Sequence, residues 1–210
     1  RMWNLDLWDV AKKCNANNVG NYPISKKARH MKLGIRHIVT YIEGLKLAFE
    51  KDKDFQKALK NLKFVITLNG QILDDVKQDL IDNDFFGLDP QNIVLVMNDF
   101  DPGFILENGL YRLSTNPDHE TNYNHGFNLI NANIPGGSYI YCAKDNTFKK
   151  YQGRGFNYLR KRGAKDIILH RMNDLILLNP VQAVDLSMLG LWHHMRDVKH
   201  ANCMIEVMNN

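Results

Sequence analysis

Three stretches of the chain place polar residues directly after a short apolar run. Asn69, Gly70 and Gln71 follow Phe64 to Leu68, Asn98 to Pro102 follow Ile93 to Met97, and Arg171 to Asp174 follow Ile167 to His170. Runs of that length and β-branched content predict strands buried on both faces. Ligands of open parallel sheets collect at the carboxyl ends of the strands, so the residues just past each run are the natural candidates for chemistry. The first set leads into a helical pattern whose amino end suits an anion. The plain alternative is that polar residues end most strands and only make turns.

Other chemistry-bearing residues have structural explanations. His193, His194 and His200 fall at i, i+1 and i+7, which do not share one helical face, so a solvated helix end is favoured over a metal site. His37 sits between apolar helix positions as a packing residue, whereas His125 lies in a glycine-containing segment and is the better candidate. Tyr139, Tyr141, Phe148 and Tyr151 are spaced to stack on nucleic acid, yet alternation within a hairpin explains them as core. Arg160, Lys161, Arg162 and Lys165 read as the solvated face of a helix, which argues against a nucleic-acid partner.

These candidates need elements to hold them. Trp3, Leu5, Leu7 and Trp8 are spaced like a short anchoring helix within an otherwise irregular arm of residues 1–30. Ile35, Ile38, Tyr41, Ile42, Leu45 and Phe49 predict a helix with one buried face, and a short helix follows Lys51 to Asp54. Leu73 to Ile81 predicts another, closed by the turn chemistry of Phe85, Phe86, Gly87, Asp89 and Pro90. Strand, helix and strand over Phe64 to Met97 make a βαβ unit, parallel by the right-handed crossover rule. A second helix and strand run from Phe156 to His170, and Cys203 to Val207 predicts a last strand. Between the units, residues 135–151 predict an inserted hairpin turning at Lys144 to Asn146, so the sheet is mixed or carries an appendage.

Composition sets the outer bounds. The chain has 210 residues, 44% hydrophobic and 24% charged, with a net charge of +4, which suits one α/β domain over 1–210 and excludes collagen, disorder and a disulfide scaffold. Cys14, Cys142 and Cys203 form no C-x-x-C pair and fit free thiols in a reducing cytosol. No apolar run approaches the ~18 residues of a membrane span and no signal-peptide layout is present, so a soluble, cytoplasmic protein is expected.

The order of the polar strand ends carries a resemblance. Met97 to Pro102 reads M-N-D-F-D-P, Asn122 to Gly126 reads N-Y-N-H-G, Gly155 to Leu175 reads G-F-N-Y-L-R-K-R-G-A-K-D-I-I-L-H-R-M-N-D-L, and Cys203 to Val207 reads C-M-I-E-V. Collinearly, over roughly residues 35–207, this resembles the UDP-sugar pyrophosphorylases, the uridylyltransferases that act on UTP and a sugar 1-phosphate. Their motifs run from a strand ending in Gln with Pro four residues on, through P-x-G-x-G and L-x-x-x-G, to N-x-D-N-L and M-E-V-T. The Phe85-Phe86-Gly87 turn also resembles the family's F-F-G.

The resemblance implies a fold of the nucleotide-diphospho-sugar transferase, or glycosyltransferase A, type: a mostly parallel sheet flanked by helices. It implies UTP or a UDP-sugar and a sugar 1-phosphate as partners, with Mg²⁺ as cofactor. Asn98 stands where the family's Gln reads the uracil edge, and an amide still donates and accepts at once. Asn124, His125 and Gly126 stand in the glycine-rich segment that approaches base and ribose; only Gly126 keeps the glycine. Asn173 falls at the family's Mg²⁺-binding Asp; a register shift of one residue makes Asp174 the metal ligand and catalytic carboxylate, and without that shift the principal metal ligand is missing and Arg171 contacts phosphate instead. The family's L-x-x-G-x-G-T-x-x-G loop and its Lys have no match among residues 18–36. With the chain starting at Arg1 and stopping at Asn210, the expectation is a piece of a longer enzyme or a reduced relative, inactive alone. The contrasting expectation is a non-catalytic regulatory or interaction module of the same fold. The sequence leaves the sugar and the oligomeric state open.

Overall fold

The structure, a computed structural model, describes residues 33–49, 51–98, 100–116, 119–122, 125–168 and 186–203. Helices α1 (Leu33–Ala48) and α3 (Leu73–Asp82) form where the apolar spacing places them, whereas α2 (Asp52–Asn61) begins inside the charged stretch Lys51 to Asp54 that the short helix is expected to follow. In α2, Phe55 and Leu59 are buried one turn apart, while Asp52 and Asp54 open the helix and Lys60 closes it, complementing its dipole. In α3, Leu73 and Leu80 are buried two turns apart.

Strands β1 (Phe64–Asn69) and β2 (Ile93–Asn98) pair in parallel, from Phe64 against Ile93 to Asn69 against Asn98. Two short antiparallel sheets follow β2. The first joins β3 (Phe100–Asp101) to β6 (Thr121–Asn122), and the second joins β4 (Phe104–Glu107) to β5 (Leu110–Leu113). Helix α4 (His125–Asn133) then leads to the hairpin β7 (Ser138–Cys142) and β8 (Thr147–Tyr151), and α5 (Gly155–Lys161) and α6 (Leu186–Lys199) complete the described elements.

The main sheet has the order β1-β2-β7-β8. β7 runs antiparallel to both β2 and β8, so the sheet is mixed. Of the two expected outcomes, mixed sheet or appendage, the hairpin realises the first. It supplies half of the main sheet because β2 needs a partner on its second edge, and Ser138 opposite Val96 provides it.

The fold has three layers. Ile93 and Leu95 face α1, α2 and α3 through Ile38, Leu45, Phe55, Leu59, Leu73 and Leu80. Val94 and Val96 face Ala132 of α4 and Leu159 of α5. Residues 93–96 are fully buried, the outcome expected of an unbroken apolar run. Gly155 permits α5 to press on the sheet, because a Cβ there would meet Val94 at 3.1 Å and Ser138 Oγ at 2.5 Å.

The turn between α3 and β2 is unusual. Asp84, Phe85 and Phe86 all take left-handed backbone conformations, with φ of 47, 52 and 55°, before Gly87 at 78°. Each non-glycine residue there costs about 1–2 kcal/mol. Phe85 holds the turn in place: it is buried, with its ring edge-on to Tyr141 at 4.8 Å and tilted against Phe148 at 6.3 Å.

Two expected strands fall only in part on the described residues, and the part described is not in strand. Ile167 and Ile168 lie in no strand and are 57% and 45% exposed, so their β-branched character is not matched by burial among the described residues. Cys203 is exposed and outside regular structure. Residues 1–32, including Cys14 and the Trp3 to Trp8 pattern, lie outside the described residues, as do 204–207 of the last expected strand. No described helix is long and apolar enough to cross a membrane.

Candidate functional site

The parallel pair ends with Asn69 beside Asn98, both buried. Asn69 turns its amide on its own chain: Oδ1 accepts from the backbone N–H of Gln71 at 3.0 Å and of Ile72 at 3.3 Å. This turn caps the approach to α3, whose own N-cap, Ile72, has no capping side chain. With those two donors engaged and Asp74 and Asp75 in the first turn, the amino end of α3 does not suit an anion, contrary to the sequence expectation.

Asn98 is held differently. Its Oδ1 accepts from Asn131 Nδ2 at 3.3 Å, and the same Nδ2 lies 3.3 Å from the carbonyl oxygen of Met97. Asn131 belongs to α4, which reaches the site because β6 pairs with β3 just past Asn98 and the helix starts three residues after Asn122. Sequence spacing alone could not show that Asn131 is the residue meeting Asn98. The signal was present as i, i+3 and i+4: Asn128, Asn131 and Ala132 share the face of α4 that is withdrawn from solvent.

His125 and Gly126 open α4. They lie about 9 and 7.5 Å along the helix axis from Asn131, at ~1.5 Å rise per residue, so Asn98 meets the middle of the helix and not its first turn. Gly126 is exposed, and a Cβ there would find nothing within 4 Å. Packing therefore does not require glycine at this position, and the space over it is open. Asn124, Arg171, Asn173 and Asp174 lie outside the described residues.

One further polar atom stands out. Asn128 Oδ1 is buried and accepts no hydrogen bond, an omission worth about 1–3 kcal/mol of lost stability. Asn128 lies one turn before Asn131 and so nearer the open end of α4.

Among the described residues no group of three His, Cys, Asp or Glu side chains is placed to hold a metal ion, and the expected Mg²⁺ ligands are not among those residues. The described part of the site is thus built of neutral amides bonded to one another and to the backbone, without formal charge.

The basic cluster takes a structural role in part. Arg162 Nε donates to Asn92 Oδ1 at 2.9 Å, and its NH2 group meets Asp89 Oδ2 at 2.9 Å. Tyr158 donates to Gln91 Oε1 at 2.9 Å, and burial raises its phenol above the ordinary range. This network lies at the amino end of β2, opposite the amide site. His193 and His194 are exposed, as expected, but lie in the middle of α6 and not at its end.

No family model, no curated protein and no solved structure matches this chain.

Proposed function

We propose that the carboxyl edge of β1 and β2 binds the base of UTP or a UDP-sugar, with Asn98 reading the uracil edge. The observation that carries this reading is the buried amide of Asn98, held by Asn131 from the helix that begins at His125 and Gly126. Bracing fixes the orientation of an amide, and an amide is the side-chain type that both donates and accepts, as an imide edge requires. Uridylyl transfer to a sugar 1-phosphate takes place, in this reading, only if a glycine-rich loop is supplied to the triphosphate. In this reading Asp174 or Asn173 holds Mg²⁺ and Arg171 contacts phosphate.

Titration calorimetry with UTP, UDP-glucose and ATP tests the binding claim. Binding of the uridine nucleotides without ATP supports it, and equal or absent binding of all three overturns it. A second reading, a non-catalytic interaction module, is favoured by one observation: the hairpin of β4 and β5 exposes a row of large apolar side chains.

A further inference from the structure

The hairpin β4–β5 turns at Asn108 and Gly109, both with positive φ, as a tight two-residue turn requires. Its register sets Phe104 opposite Leu113 and Leu106 opposite Tyr111. Alternation then places these four residues on one face and Ile105, Glu107, Leu110 and Arg112 on the other. The four are 70%, 61%, 65% and 78% exposed in that order.

The base of the hairpin is pinned. Ser114 N–H donates to the carbonyl of Gly103 at 2.6 Å, and a Cβ at Gly103 would overlap the carbonyl oxygen of His119. Ser114 is buried, with Oγ 2.8 Å from His119 Nδ1 and accepting from the Asn116 N–H at 3.1 Å. The apolar face is therefore presented by an anchored element, although a bare two-stranded hairpin is at best marginally stable in water.

We propose that two copies of this chain associate by stacking these faces about a two-fold axis. At the stated exposures, and with about 200 Å² for a full large side chain, each copy offers roughly 500–600 Å² of apolar surface. Two copies together bury a little over 1,000 Å², the size at which specific association begins. The face is also self-complementary. It carries no charge, because Glu107 and Arg112 lie on the opposite face and pair with each other at 3.4 Å, so stacking brings no like charges together despite the net charge of +4.

Sedimentation equilibrium of the 210-residue chain from about 1 to 100 μM tests this, the range suited to an interface of that size. A monomer–dimer equilibrium is expected. Leu106→Lys should weaken the dimer by about 30-fold or more, as loss of a central contact does. Leu110→Lys adds the same charge to the same hairpin on the other face and should leave the dimer intact. Circular dichroism reports folding of each variant, and Tyr111→Ser probes the same face if Leu106→Lys does not fold. A wild-type monomer throughout the range, equal weakening by the two lysine variants, or an unweakened dimer in the variants of the apolar face overturns the proposal.

Discussion

Asn131 Nδ2 lies 3.3 Å from both Asn98 Oδ1 and the Met97 carbonyl oxygen, so one amide from α4 clasps the last two residues of β2. If Asn98 reads a base, Asn131 is a positioning residue. Asn131→Ala is expected to weaken UTP binding about fivefold, the worth of one neutral hydrogen bond, while ATP binding stays unchanged. Calorimetry on the variant checks this, and unaltered UTP affinity would remove the brace from the proposed site.

Asn128→Leu separates stability from binding. Removing a buried acceptor that has no partner is expected to raise the melting temperature, by up to about 1–3 kcal/mol of added stability at the upper limit. Ser138→Ala is expected to act in the same direction, since Ser138 Oγ is also buried without a hydrogen bond. Thermal denaturation compares the two, and a lower melting temperature for both variants would show that these atoms are satisfied.

The network at the other end of β2 predicts the opposite sign. Buried Asn92 accepts from Arg162 and donates to the Lys60 carbonyl at 2.8 Å, tying α5, the turn before β2 and the end of α2 together. Asn92→Ala is expected to destabilise by about 1–3 kcal/mol, read as a lower urea midpoint at unchanged slope. A double-mutant cycle with Arg162→Met should be non-additive, and strict additivity would deny the coupling.

Two titrations contribute to the pH dependence of stability, one on each limb. Burial raises the Tyr41 phenol well above its ordinary value of 10.0. The unfolded chain therefore loses that proton first as pH rises, and stability present below about pH 10 is lost on passing through the folded value. Tyr41→Phe is expected to flatten the alkaline limb. The Lys149 ammonium, and then the Cys142 thiol, hold the Asp145 carboxyl below its ordinary 3.8 by hydrogen bonding. Its contribution is present above 3.8 and lost as pH falls through the folded value, so Asp145→Asn should flatten the acid limb. Denaturant midpoints between about pH 2 and 12 check both limbs.

The elements that sequence made legible are those whose signal is local. The helix over Leu73 to Ile81 and the strand at Ile93 to Met97 follow from apolar spacing, and both form within one residue of expectation. The partner of Asn98 was not legible, because it depends on β6 pairing with β3 across some twenty intervening residues. Ile167 and Ile168 illustrate the converse: β-branched character alone does not make a strand, and among the described residues neither is in one. In the Phe85-Phe86-Gly87 turn, glycine announced a break, while the left-handed run before it is held by contact with Tyr141 and Phe148 of the distant hairpin. Of the proposed site, Asn98 meets the middle of α4 at Asn131 and not its start at His125 and Gly126, and positions 124, 171, 173 and 174 fall outside the described residues.

The order β1-β2-β7-β8 also has a consequence in time. β7 and β8 are joined by the short turn of residues 143–146, whereas β1 and β2 are separated by residues 70–92, which hold α3 and its left-handed turn. Hairpins zip in about 1–10 μs, and longer closures add entropy that later contacts must offset. The antiparallel half can therefore ripen first and offer Tyr141 and Phe148 as the surface on which Phe85 seats, after which the parallel half locks. Pulse-labelled amides of Tyr139 to Phe148 should then gain protection ahead of those in Val65 to Leu68.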